Sequence, residues 1–315
     1  MKKLIRFSAY IFILFITACN PTPEIDNAVM LDGNQIFDLS LTQPQKYLIS
    51  SYLPNPTLQE KNTPVIIAAH GYTATTFEWD ELRTYADSAK TFLVSQVLLG
   101  GHGRTYEEFK ASTWKDWQSS IIDEYIKLSN KGFKNIYLAG SSTGAPLILQ
   151  LIQSGFFKDY TLPKGIFLID PIVVSSNKTL TLVGLLGPVL GYTSVELADG
   201  EKGKWYVYRP QETLKQLMSL IDLTRKDLER GIVLPSNTFM KVYKSAVDDT
   251  ADPVSAVMIY KGMRTSGGGM IDVEMLNSNL HVFTRLKGRD GVTDADYARQ
   301  HKTFSEMEKI MKSAN

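Results

Sequence analysis

Residues 136–147 read Ile-Tyr-Leu-Ala-Gly-Ser-Ser-Thr-Gly-Ala-Pro-Leu, and no other stretch narrows the choice of fold so far. An apolar run of strand length, residues 136–139, meets a Gly-x-Ser-x-Gly turn from Gly140 to Gly144, and a helical pattern starts at Ala145. A serine at the apex of so sharp a strand-to-helix turn takes strained dihedrals, and small residues two positions to either side let the turn close. The apex is Ser142, not Ser141. The following helix aims free N–H groups and its positive dipole end at the place where negative charge develops in acyl transfer. The same letters would serve a plain Gly/Ser turn between core elements, so a base, an acid and oxyanion donors must be sought elsewhere.

The neighbouring segments alternate between strand and helix. Residues 64–69 form an apolar run that could be buried on both faces, and it ends in His70-Gly71-Tyr72-Thr73. Helical spacing follows at Trp79, Leu82 and Tyr85, then a strand over residues 91–98 that ends at Gly100-Gly101-His102-Gly103-Arg104. Thr113 and Asp116 fit a capping box, after which Trp114, Trp117, Ile121, Tyr125 and Leu128 keep one apolar face. Short loops between such units predict a doubly wound, mostly parallel sheet. Ahead of them, residues 36–41 and 46–52 fit two strands joined at the Gln43-Pro44 turn.

His70-Gly71-Tyr72, Gly101-His102-Gly103, Asp116-Trp117 and Gly140 to Gly144 stand in the order found in the α/β-hydrolase superfamily. The chain resembles most its bacterial carboxylesterases and monoacylglycerol lipases, the group with serine aminopeptidase-like members. The resemblance covers residues 64–151 well and the remainder more loosely. It implies an α/β-hydrolase fold in which the backbone N–H groups of Tyr72 and Thr143 form the oxyanion hole. In this pattern His70 braces its loop, and His102 belongs to a structural glycine-histidine-glycine loop.

The regular alternation lapses after Asp170-Pro171 and returns near Thr238, so residues 171–237 resemble the cap insertion of these hydrolases. Within it, residues 180–190 are unusually apolar for a loop, and residues 212–230 look helical. The apolar part reads as a wall for an acyl chain, as a face that touches lipid, or as a lid packed on its own domain. The strand at residues 239–243 runs into Asp248, which falls where the superfamily carries the acid of its triad. Asp249 and Asp252 compete for that role, but Asp248 is favoured, and a solvated acidic turn, or for Asp252 a helix N-cap before Pro253, is the other reading of the two competitors. A last strand, residues 270–276, precedes His281, the one histidine among four that follows both serine and acid just past a strand end. Ser142, Asp248 and His281 thus keep the chain order of this fold. His301, in a helical tail over residues 294–311, reads as an exposed residue.

The N-terminus sets the compartment. Lys2, Lys3 and Arg6 precede an apolar run at residues 7–18, shorter than the roughly twenty residues a spanning helix needs and typical of an export signal. Ile16-Thr17-Ala18-Cys19 resembles the bacterial lipobox, and Cys19 is the only cysteine, so no internal disulfide is available. The expectation is a signal peptide over residues 1–18, a lipidated tether over residues 19–33 and a hydrolase domain beyond. In the resemblance to Gram-negative lipoproteins, where aspartate after the cysteine favours retention in the inner membrane, Asn20 implies the outer membrane. Two or three acyl chains anchor a protein stably on a membrane without crossing it.

A formal net charge of +1 gives no electrostatic reason for a nucleic-acid partner, and four scattered histidines lack the spacing of zinc ligands. The reading is a lipid-anchored serine esterase acting on small-molecule or lipid esters such as monoacylglycerols. It needs no metal or organic cofactor and no obligate protein partner. Two alternatives remain: an aminopeptidase-like amidase that holds an amine through Glu196, Asp199 and Glu201, and a surface binding protein that keeps the fold without turnover.

Overall fold

A computed structural model describes residues 21–23, 36–176 and 191–314 of the 315-residue chain. Its frame is a six-stranded sheet built from β1 (Val65–Ala69), β2 (Leu93–Val97), β3 (Ile136–Ser141), β4 (Gly165–Ile169), β8 (Phe239–Ser245) and β10 (Asp272–Leu276). The spatial order is β10-β8-β4-β3-β1-β2, and every neighbouring pair is parallel. Four short strands lie outside it: β5 (Tyr192–Ser194) pairs antiparallel with β6 (Tyr208–Pro210), and β7 (Ile232–Val233) pairs with β9 (Met263–Arg264). The helices in chain order are α1 (Ile49–Tyr52), α2 (Leu58–Asn62), α3 (Asp80–Ala89), α4 (Tyr106–Ala111), α5 (Trp114–Asn130), α6 (Gly144–Ser154), α7 (Gln211–Arg230), α8 (Val254–Gly262) and α9 (Asp294–Ser313). Among the described residues no helix is long and apolar enough to cross a membrane.

The continuous apolar character of the central strands follows from burial on both faces. Along β1, Val65, Ile67 and Ala69 join the core beneath α5, α6, α7 and α8, while Ile66 and Ala68 turn to the core beneath α3 and α9. On α5 the capping box forms as the spacing predicts, with the Thr113 side chain accepting from the Asp116 N–H and the Asp116 carboxylate from the Thr113 N–H. Its apolar stripe, Trp117, Ile121, Tyr125 and Leu128, is buried.

The predicted pair of strands over residues 36–52 does not form. The segment instead holds 3-10 turns at Leu39–Leu41 and Pro44–Lys46, followed by α1. Alternation is present there, but its inward members are Ile36, Asp38 and Ser40, while Phe37, Leu39 and Leu41 are exposed. Asp38 is drawn inside because its carboxylate accepts from Ser40 N–H at 2.7 Å, Thr76 N–H at 2.9 Å and the Thr76 hydroxyl at 2.7 Å. Buried polar groups need such partners, and here they set the course of the chain in place of a strand ladder.

The chain leaves β1 for β2 on one side and returns to place β3 on the other, so the strand order reverses between β1 and β3. In an open α/β sheet that reversal opens a crevice at the carboxyl ends of the strands, where ligands bind. The loops entering this crevice are those that carry Gly71-Tyr72 and Ser142-Thr143. Above it lies the segment between β4 and β8, with β5, β6 and α7. Its Tyr206 holds it down, donating N–H to Thr73 O at 3.1 Å and stacking on Phe109 with centroids 4.4 Å apart. The apolar stretch at residues 180–190 falls outside the described residues, as do Cys19 and the export signal.

Candidate active site

Ser142 sits at φ +47°, a left-handed backbone that non-glycine residues rarely adopt. Three backbone hydrogen bonds hold the turn: Ser142 N–H donates to Ile169 O at 3.0 Å, and its carbonyl accepts from Ala145 N–H and from Ile172 N–H, each at 3.3 Å. The flanking glycines are required by close approach. A Cβ on Gly140 would stand 2.7 Å from the Gly144 carbonyl carbon, and one on Gly144 would stand 2.3 Å from Ala69 O. The motif spacing is thus the footprint of β3 and α6 packed against the end of β1.

Three side chains distant in sequence meet at this turn. His281 Nε2 lies 2.8 Å from Ser142 Oγ, and His281 Nδ1 lies 2.8 Å from Asp248 Oδ2. The other oxygen of Asp248 accepts N–H bonds from Thr250 at 2.8 Å and Ala251 at 3.0 Å. Burial alone would push the Asp248 carboxyl up, but the His281 and Lys244 contacts outweigh it and hold the group well below the usual carboxylate range. With its Nδ1–H donated to Asp248, the imidazole presents Nε2 to the serine as a proton acceptor. The two competing acids stand elsewhere: Asp249 is exposed, and Asp252 accepts from Val254 N–H at 2.8 Å at the start of α8.

The Tyr72 and Thr143 backbones border the same cavity as Ser142 and His281, and among the described residues neither amide donates to a protein acceptor. The Tyr72 ring is wedged against Phe109 and Trp117, and its hydroxyl lies 2.6 Å from Thr213 Oγ1, which ties the loop to α7. His70 is buried and braces this loop: Nε2 accepts from Leu99 N–H at 3.1 Å and Nδ1 faces Gly71 O at 2.8 Å. Burial lowers the pKa of His70 and takes that of His102 well below its ordinary value, so both rings are neutral. His301 is exposed, edge-on to Tyr85.

Several residues that sequence reasoning does not single out complete the site. Buried Glu78 accepts from Gly71 N–H at 2.8 Å and from the Ser141 hydroxyl, joining the loop after β1 to the serine turn. Asp170, at φ +44°, accepts from Ser245 N–H at 2.7 Å and from Phe283 N–H at 3.1 Å, so it ties the end of β8, just ahead of Asp248, to the backbone just past His281. Arg289 donates Nη2 to the His281 carbonyl, and burial together with the neighbouring Arg285 lowers its pKa to about 10. Their common sequence signal is a charged residue at or near the carboxyl end of a parallel strand, or in a loop beside one.

The cavity above these groups measures about 780 Å³, within the range of sites for small organic ligands. Ile172, Leu214, Leu217 and Trp205 supply apolar wall. The three acids proposed for holding an amine are unequally placed. Glu201 pairs with Arg285 at 2.5 Å, Asp199 pairs with Lys202 at 2.5 Å in solvent, and Glu196 is exposed at the cavity edge.

A parallel sheet of this order, with a serine turn after β3, a histidine after β10 and covering elements between β4 and β8, is the α/β-hydrolase fold. Among solved structures, the chain superimposes on a metagenome-derived lipolytic enzyme with TM-score 0.63 at 19% identity, covering 79% of this chain and 94% of that one. It also matches the soluble variant of monoglyceride lipase from Saccharomyces cerevisiae, with TM-score 0.64 at 13% identity and 83% and 89% coverage. In sequence it is similar to a thermostable monoacylglycerol lipase of Bacillus sp. (strain H-257), 27% identical over 227 residues, which span 71% of this chain and 85% of the relative. No protein-family model matches the chain.

Proposed function

We propose that this chain is a serine hydrolase that cleaves carboxylic esters, of the carboxylesterase or monoacylglycerol lipase kind, through an acyl-enzyme on Ser142. The observation that carries the reading is the continuous relay from Ser142 Oγ through His281 to Asp248, with 2.8 Å at each step. Similarity to the Bacillus monoacylglycerol lipase supports the ester class.

A serine hydroxyl is a poor nucleophile near neutral pH, and imidazole is the side chain able to take its proton there and return it. His281 accepts the Ser142 proton as Oγ attacks the acyl carbon, and Asp248 stabilises the imidazolium that forms. The Tyr72 and Thr143 N–H groups meet the oxyanion, a contribution for which loss of one donor typically lowers kcat about a hundred to a thousandfold. His281 then protonates the leaving alcohol, and water releases the acid by the same steps in reverse.

A fluorophosphonate probe tests the class: it labels the wild type and fails on Ser142→Ala. An unlabelled wild type would leave a binding protein without turnover. Nitrophenyl esters of rising chain length, set beside an aminoacyl anilide, test the bond. Rapid anilide cleavage with negligible ester cleavage would turn the assignment to an amidase.

The same reading puts the enzyme in the cell envelope, held on a bacterial membrane through lipidated Cys19, and on the outer membrane if the cell is Gram-negative. It rests on the lipobox-like run at residues 16–19 behind a basic and apolar leader. Radiolabelled palmitate incorporated by the wild type and lost in Cys19→Ser is the expected result. Label retained in that variant would overturn it.

A further inference from the structure

Three guanidinium groups border the cavity, those of Arg209, Arg285 and Arg289, and each keeps its Nε–H buried without a partner. What holds them differs. Arg285 lies 4.5 Å from the centre of the Trp205 ring and pairs with Glu201, and Arg289 donates to the His281 carbonyl. Arg209 has no such tie: among the described residues no carboxylate pairs with it and no hydrogen bond reaches its side chain.

An arginine side chain carries five donors and a charge that persists at every physiological pH, so leaving it in a shielded place without an acceptor costs free energy. Burial lowers the pKa of Arg209, with nearby Tyr72 acting in the opposite sense. The carboxylates around the cavity do not relieve it. Glu201 is held by Arg285, Glu78 accepts from Gly71 and Ser141, and Glu196 and Asp249 are exposed to water.

The position of Arg209 makes this cost meaningful. It stands in β6 opposite Thr193, directly before α7, whose Gln211, Leu214 and Leu217 line the same cavity. The 20-residue helix carries one acid in its first turn, Glu212, which faces the positive end of the helix dipole. A planar fork with free donors, set in a partly apolar cavity that also holds Ser142 and His281, fits the geometry of a carboxylate or phosphate.

We propose that Arg209 forms an anion subsite, and that the ester cleaved at Ser142 carries a carboxylate or phosphate group on its acyl or its alcohol part. This rests on the ester-hydrolase reading and narrows it: the preferred substrate is charged at one end, unlike a plain monoacylglycerol.

Two substrate pairs test it with the purified full chain. Mono(nitrophenyl) glutarate against nitrophenyl butyrate puts the charge on the acid, and butyrylglycerol phosphate against butyrylglycerol puts it on the alcohol. In at least one pair the anionic member is expected to show a kcat/KM about tenfold or more above its neutral partner. Arg209→Gln should cut that ratio by about tenfold, and Arg209→Lys, which keeps charge but not the fork, should give an intermediate ratio. Because each ratio is taken within one protein preparation, partial loss of folding does not alter it. Neutral esters preferred in both pairs, or a ratio unmoved in Arg209→Gln, would overturn the subsite. Fluorophosphonate labelling separates the two levels: a labelled wild type with no anion preference refutes Arg209 alone, whereas an unlabelled one refutes the hydrolase reading beneath it.

Discussion

Lys244 Nζ lies 2.5 Å from Asp248 Oδ2, the same oxygen that faces His281 Nδ1. The ammonium also lies 3.2 Å from Asp170 Oδ1, and all three side chains are shut off from solvent. One buried cation therefore joins the acid beside His281 to the residue that fixes the backbone at Phe283. Two carboxylates so placed would repel each other without it, and the ammonium makes their joint burial tolerable.

Replacing Lys244 by methionine keeps the volume and removes the charge. The two carboxylates keep their hydrogen bonds but lose the cation they share, and breaking a buried ion pair by removing one partner costs about 3–5 kcal/mol. Urea denaturation should show a midpoint shift of that order, with a fall in kcat as the Asp248 side chain loses one of its restraints. Adding Asp170→Asn to Lys244→Met should recover part of the stability, because one of the two opposed charges is gone. A double variant less stable than Lys244→Met would contradict the electrostatic account.

Asp248 also makes stability depend on pH. Its carboxyl is held below the usual range in the folded state, so the folded protein binds that proton less readily than the unfolded chain. The contribution is complete above the unfolded carboxylate range, near pH 4, and is lost as pH falls through the lower folded value. Asp248→Asn, which cannot ionise, should be less stable than the wild type at pH 7, and the gap should narrow steadily below about pH 4. Urea midpoints measured across that interval check the sign. A gap that widens in acid would show that the carboxyl is not held low.

Much of the frame is legible from residues alone. Parallel strands buried on both faces print as unbroken apolar runs, which is why residues 64–69 and 136–139 coincide with β1 and the body of β3. Residues 36–52 mislead for the opposite reason. Their alternation is real, but Asp38 and Ser40 point inward to satisfy hydrogen bonds made with the distant Thr76 and within the turn itself, and periodicity carries no record of partners. The order of Ser142, Asp248 and His281 can be read along the chain, whereas their contact is a property of the folded sheet. Lys244, Asp170 and Glu78 look like ordinary charged positions until the fold buries them. Lys244 meets an acid 74 residues away, and Glu78 meets a serine 63 residues away.

Close packing at the serine turn predicts a sharp contrast between two glycines. A methyl group on Gly144 would meet the Ala69 carbonyl at 2.3 Å, and backbone on both sides prevents either from yielding freely. Overpacking of this kind costs about 1–3 kcal/mol, and the shift of α6 would carry the Thr143 amide with it. Gly144→Ala should therefore lower both the thermal midpoint and kcat. Gly267 has nothing within 4 Å of the same added atom, so Gly267→Ala should leave stability within about 0.5 kcal/mol. Equal losses in the two variants would mean that general backbone freedom, and not contact, governs Gly144.

Glu78 offers a test of how the loop after β1, the proposed source of one oxyanion donor, is held. Its Oε1 accepts from Gly71 N–H at 2.8 Å and from the Ser141 hydroxyl, so a single acceptor spans the two loops whose amides flank Ser142 Oγ. In Glu78→Ala the Gly71 amide loses its partner and the Tyr72 N–H is free to drift. An oxyanion donor works only when it already points at the charge that develops in the transition state, so misplacement lowers kcat while KM changes little. A loss of about tenfold to a hundredfold in kcat is expected, at the lower end of what removing a donor outright would cause. Glu78→Gln keeps an oxygen able to accept from Gly71, and it should restore most of the rate. Steady-state kinetics on one nitrophenyl ester separate these cases: a glutamine variant as slow as the alanine one would show that the charge of Glu78, and not its role as an acceptor, sustains turnover.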